Sequence, residues 1–144
     1  MMDVNWSIEY KLERAFSESF AVLITGPSIA SNSVSSVKVQ KTMRHGFGLS
    51  SWYQNENETP YPSIEIKHVE AIELYKILAD ARVHAFSPTV VGLDGEKHIL
   101  TLQAVHNSSI FEWFMDLPKC WSELNPAIQR ITDLAERCLN SVPP

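Results

Sequence analysis

Histidine, cysteine, carboxylate and tryptophan are the residue types here that could do chemistry. The five histidines are His45, His68, His84, His98 and His106, and no two are four residues apart. A helix therefore cannot present a pair of them to one metal ion. His68 has Glu65 and Glu70 close by, but a closed metal site needs about four ligands, and a solvated helix start accounts for these residues. Neither a metal nor a cofactor is expected. Cys120 and Cys138 are the only cysteines, and their spacing is that of neither a zinc site nor a redox pair. Cys138 falls on the apolar side of a predicted helix, which points to a buried thiol. No serine lies in a nucleophile elbow.

Residues 21–28, AVLITGPS, look like a strand entering a phosphate-binding loop. That loop requires a second glycine and a lysine followed by serine or threonine. Ser31, Asn32 and Ser33 occupy those positions, so no ammonium would reach a phosphate. Two features are better suited to recognition. Trp52 and Tyr53 precede a polar loop that carries Glu56 and Glu58 and closes at Pro62. Aromatic anchors with a charged rim are what a protein interface uses. Glu112, between Phe111 and Trp113, is expected on a solvated strand face. Trp6, Trp113 and Trp121 read as core.

These side chains have to be held by regular elements. Val4, Trp6, Ile8, Tyr10 and Leu12 alternate with polar residues, the period of a half-buried strand. Residues 20–25 form a second strand, closed by Gly26-Pro27. Ser28 to Ser36 is a predicted loop, Val37 to Met43 a strand, and Leu49 to Tyr53 a further strand. A helix follows, with Val69, Ile72, Tyr75 and Leu78 as its stripe and Glu70 and Glu73 pairing with Lys67 and Lys76 along its surface. Thr89 to Leu93 is expected as a strand turning at Asp94-Gly95, a two-residue hairpin signal, into Lys97 to Val105. A third strand, Ile110 to Met115, puts Phe111, Trp113 and Met115 on one side and Ile110, Glu112 and Phe114 on the other. In the last helix Asn125 is the expected cap and Pro126 the first helical residue. Ile128, Ile131, Leu134, Ala135 and Cys138 form its buried face. The whole is an α+β fold: a mostly antiparallel sheet with two helices packed on one face.

The length of 144 residues suits one domain, 1–144, able to bury a core without metals or disulfides. The formal net charge is −5, and the twelve Lys and Arg residues are scattered. Nucleic-acid binding needs a positive field, so a basic protein is the better partner. Residues 1–13 lack the apolar stretch of a signal peptide, and the apolar runs are too short to cross a bilayer. A cytoplasmic protein that does not bind membranes is expected.

From residue 92 onward the chain resembles a group of small, mostly uncharacterised bacterial α+β proteins. The resemblance rests on Gly92-Leu93-Asp94-Gly95, Asn107-Ser108, Phe111-Glu112-Trp113, Leu117-Pro118, Trp121 and Leu124. It implies fold rather than activity. By type, small acidic proteins of this kind include immunity proteins that neutralise secreted bacterial toxins. The leading expectation is thus a non-enzymatic immunity protein. Trp52, Tyr53, Glu56, Glu58 and Glu112 would contact a basic toxin or enzyme. An inhibitor of a host defence enzyme, encoded by a phage or plasmid, would use the same binding physics. A small-molecule or enzymatic site would instead need a pocket collecting His98, Glu112 and Trp113. A tight cluster of buried titrating side chains would favour that second class.

Overall fold

The computed structural model describes residues 6–14, 18–26, 35–42, 52, 57, 60–86 and 95–142. The elements are β1 (Trp6–Arg14), β2 (Ser19–Gly26), β3 (Ser35–Thr42), β4 (Ser63–Ile66), α1 (His68–Asp80), β5 (Glu96–Gln103) and β6 (Ser108–Phe114). A 3₁₀ segment, Lys119–Leu124, then leads into α2 (Asn125–Asn140). The six strands form one sheet in the order β4-β3-β2-β1-β5-β6, and every neighbouring pair is antiparallel. The expected α+β architecture is therefore the observed one.

Alternation along β1 sets the two faces. Trp6, Ile8, Tyr10 and Leu12 are buried, while the residues between them are half-buried. In register across the sheet, Tyr10 meets Val22 on one side and Leu100 on the other, and Val22 meets Val39. This face carries the core. Ala71 and Leu74 of α1, Trp121 and Leu124 of the 3₁₀ segment, and Ala127, Ile131, Leu134, Ala135 and Cys138 of α2 join it. Burying a side chain such as Ile131 or Leu74 contributes about 1.5–3 kcal/mol through the hydrophobic effect. Gly26 is needed here, because a Cβ at that position would overlap the Trp6 indole.

The strand order explains α1. By the antiparallel pairings, β4 and β5 run in the same direction, and three strands lie between them. No hairpin can make that link, and α1 makes the crossover. Glu70 and Glu73 pair with α2 instead of along α1: Arg137 Nη2 lies 2.6 Å from Glu70 Oε2, and Arg130 Nη2 lies 2.8 Å from Glu73 Oε1. The expected stripe on α1 is also rotated. Ala71 and Leu74 are its buried residues, and Val69 is 68% exposed.

Four further differences appear. β4 was not foreseen. Asn125 makes no side-chain cap, because the 3₁₀ segment brings the backbone in already helical, with Leu124 at the capping position and Pro126 in the first turn. Met115 lies beyond β6 with φ 59° and is 53% exposed, so it leaves the inward row of Phe111 and Trp113. Trp52 is not in a strand. Residues 28–34 of the predicted loop, the strand Thr89 to Leu93 and Asp94 lie outside the described residues. Gly95, with φ 125°, immediately precedes β5.

Candidate functional site: the helix-free face of the sheet

Both described helices pack on the face of Ile8 and Tyr10, so among the described residues no helix covers the opposite face. There the register lines up rows across β1, β5 and β6. Glu9 pairs with Thr101 and Thr101 with Ile110, while Lys11 pairs with Ile99 and Ile99 with Glu112. A third row is Glu13, Lys97 and Phe114. The β2–β3 part of this face is partly closed, with Ala21 and Gln40 buried, Leu23 half-buried and Lys38 exposed. The β6 part is open, with Ile110 63% exposed.

Trp52 belongs to this face. Its Nε1–H donates to Glu9 Oε2 at 2.6 Å, and its ring meets Tyr61 edge-on at 5.7 Å. Glu9 is thereby fully engaged, since Lys11 Nζ lies 3.6 Å from its other oxygen. Glu112 is freer. Among the described residues its nearest cation is Lys97 Nζ at 3.9 Å, and its side chain is 53% exposed. Chain folding thus brings Trp52 and Glu112 onto one face. Glu9, which holds the indole, stands two strand spacings, about 10 Å, from Ile110. Tyr53, Glu56 and Glu58 lie outside the described residues.

The pocket of His98, Glu112 and Trp113 that a small-molecule or enzymatic site would need does not form among the described residues. His98 stacks on Trp113 on the core face, with centroids 5.1 Å apart and planes 5° apart, while Glu112 points to the other face. His98 instead belongs to a polar chain at one end of β1 and β5 that sequence reading missed. Tyr10 Oη is 2.5 Å from His98 Nδ1, His98 Nε2 is 3.5 Å from Glu96 Oε2, and Glu96 Oε1 is 3.2 Å from Arg14 Nε. Burial, reinforced by Glu96, pushes the Tyr10 hydroxyl up to about 12. Burial also lowers the His98 imidazole, against the pull of Glu96. Burial favours the neutral form of both groups, and the Glu96 carboxylate beside Nε2 favours the tautomer that carries its hydrogen there, which leaves Nδ1 to accept from the Tyr10 O–H.

Other places hold less chemistry. A cleft of about 420 Å³ opens between α1 and the opposite ends of β1 and β5, lined by Trp6, Tyr75, Leu78 and Leu102. Cys138 is buried, its thiol is pushed up by burial, and its Sγ lies 3.7 Å from the Val37 carbonyl. Among the described residues, no group of three or more His, Cys, Asp or Glu is arranged to hold a metal ion. No described helix is long and apolar enough to cross a membrane. Comparison with protein-family models, with curated proteins and with solved structures found no match.

Proposed function

We propose that this chain is a non-enzymatic binding protein that blocks a basic protein partner through the helix-free face of β1, β5 and β6. The observation that carries the reading is the open end of that face. Exposed Ile110 stands beside a carboxylate, Glu112, whose nearest cation among the described residues is 3.9 Å away. An apolar centre with an under-neutralised acid suits a cationic protein surface, and the net charge of −5 would speed the encounter. An immunity protein neutralising a bacterial toxin is the concrete form of this reading, and a defence-enzyme inhibitor is its close variant. Trp52, held against Glu9, would form one side of the contact surface.

The test places a photo-crosslinking residue at position 112 and, as a control, at Lys76 on α1. A basic partner captured from position 112 and not from Lys76 is the expected result, with capture lost in an Ile110→Asp variant. Capture from both positions alike, or capture that survives Ile110→Asp, would refute the reading.

A second reading has one observation in its favour, the Tyr10–His98–Glu96–Arg14 chain. A small-molecule or enzymatic site there would need the imidazole to reach a ligand. The His98 side chain is only 13% exposed and its Nδ1 is taken by Tyr10. The position therefore favours a structural network over a reacting one.

A further inference from the structure

The hydrogen-bond parity of β6 defines what its outer edge offers. In an antiparallel pair, alternate residues bond to the neighbouring strand, and the residues between them direct N–H and C=O the other way. Two bonds fix the phase. Met115 N–H donates to the Glu96 carbonyl and Ala104 N–H to the Asn107 carbonyl, both at 2.9 Å. Both pairs continue the β5–β6 register. Residues 107, 109, 111, 113 and 115 therefore face β5, whereas Ser108, Ile110, Glu112 and Phe114 turn their backbone groups outward. β6 is the last strand of the sheet, and among the described residues none pairs with that outward side.

Apart from the charge of Glu112, β6 itself lacks the usual guards of an edge. An exposed strand edge invites another strand unless proline, lysine, a bulge or shortness prevents it. β6 runs for seven residues, SSIFEWF, with no proline and no lysine. The four residues that present backbone outward are also the ones whose side chains lie on the helix-free face. An added strand would meet, in order, Ile110, Glu112 and Phe114.

We infer that β6 accepts an extended segment of the partner as a seventh strand, and that this segment carries a basic residue flanked at alternate positions by apolar ones. The basic residue would stand across from Glu112, and the apolar ones across from Ile110 and Phe114. Cross-strand pairs of these kinds are the units that stabilise a sheet. A second copy of this chain fits less well, because its β6 has no cation to set against Glu112 and each copy carries a net charge of −5. The inference rests on the binding reading above and specifies how the partner engages.

The probe is a synthetic seven-residue peptide in which valine, arginine and valine alternate with threonine, titrated into the full chain and followed by backbone amide resonances. Saturable shifts centred on residues 108–114 are expected. N-methylating the peptide at the amides that would bond to β6 should weaken binding by about tenfold or more, the equivalent of about 1.4 kcal/mol. Ile110→Pro deletes an outward donor and should weaken binding similarly, while Ile110→Ala, which keeps that donor, should weaken it much less. The methylated-peptide arm uses the unaltered chain, so it stands even if the proline variant folds poorly. No saturable binding, equal binding of the methylated peptide, or β6-to-β6 self-association of the chain would overturn the inference. Partner capture through position 112 would then still stand, because it depends on side chains of the face and not on the edge.

Discussion

The two edges of the sheet are built to opposite rules. β4 is four residues long, follows Pro60 and Pro62, carries Glu65 and gives way through Lys67 to α1. Shortness, proline and charge are the devices that keep an edge from recruiting another strand. β6 is seven residues long and has none of them except Glu112. Its inner side is firmly held, through Trp113 and its ring contacts with His98, Tyr10 and Trp121. One edge is closed off, and the other is held rigid on its inner side and, among the described residues, left open. That combination suits a strand whose exposed side has a use.

The largest expected effect comes from removing what makes β6 rigid. Trp113 is 5% exposed and touches both the polar chain and Trp121. Trp113→Ala should cost about 3–5 kcal/mol, read as a lower urea midpoint, and should loosen β6 before β4. If β6 retained its full protection, the inner side would not be what holds it.

The next effect is the pH dependence that Tyr10 of β1 and His98 of β5 bring to the β6 half. Tyr10 ionises near 10.0 when unfolded and about 12 when folded. Its contribution is full below 10.0 and disappears as pH rises through about 12. The two-unit difference corresponds to roughly 3 kcal/mol. In acid the sign is opposite. His98 is held below its ordinary value of 6.5, so its contribution is present above that pH and is lost as pH falls through the lowered value. Denaturation followed against pH should lose the alkaline limb in Tyr10→Phe and the corresponding part of the acid limb in His98→Gln.

A smaller effect separates the two sides of β6 itself. Ser109→Pro removes a donor that faces β5 and leaves a carbonyl unpaired, a loss of about 1–3 kcal/mol. Ile110→Pro removes a donor that faces outward, which an edge strand tolerates, and should cost clearly less. Equal losses would mean the assigned parity is wrong. The smallest effect on stability belongs to Glu112→Lys, expected within about 0.5 kcal/mol for a surface change, although it should abolish attraction for a basic partner.

Part of this was legible in the residues. β1 alternates cleanly because one face is core and the other is not, and α2 separates its apolar and polar faces just as clearly. α1 does not: Val69, Ala71, Ile72, Leu74, Tyr75, Ile77 and Leu78 surround much of it, so more than one stripe satisfies a helical period. Only tertiary packing selects Ala71 and Leu74. β4 escaped notice because its four residues hold only two apolar side chains, Ile64 and Ile66, next to a proline-rich loop.

The site was legible residue by residue but not as a place. Trp52 and Glu112 could be singled out by type. That they share a face depends on β5 inserting between β1 and β6, a long-range pairing with no local signal. The Tyr10–His98 contact spans 88 positions and was invisible for the same reason.

Amide hydrogen exchange of the free chain tests the open edge most directly. An alternation along β6 is expected: slow exchange at Ser109, Phe111 and Trp113, and fast exchange at Ile110, Glu112 and Phe114. Slow exchange at Ile110 and Glu112 in the monomeric chain would mean that the edge is already occupied, and would contradict it.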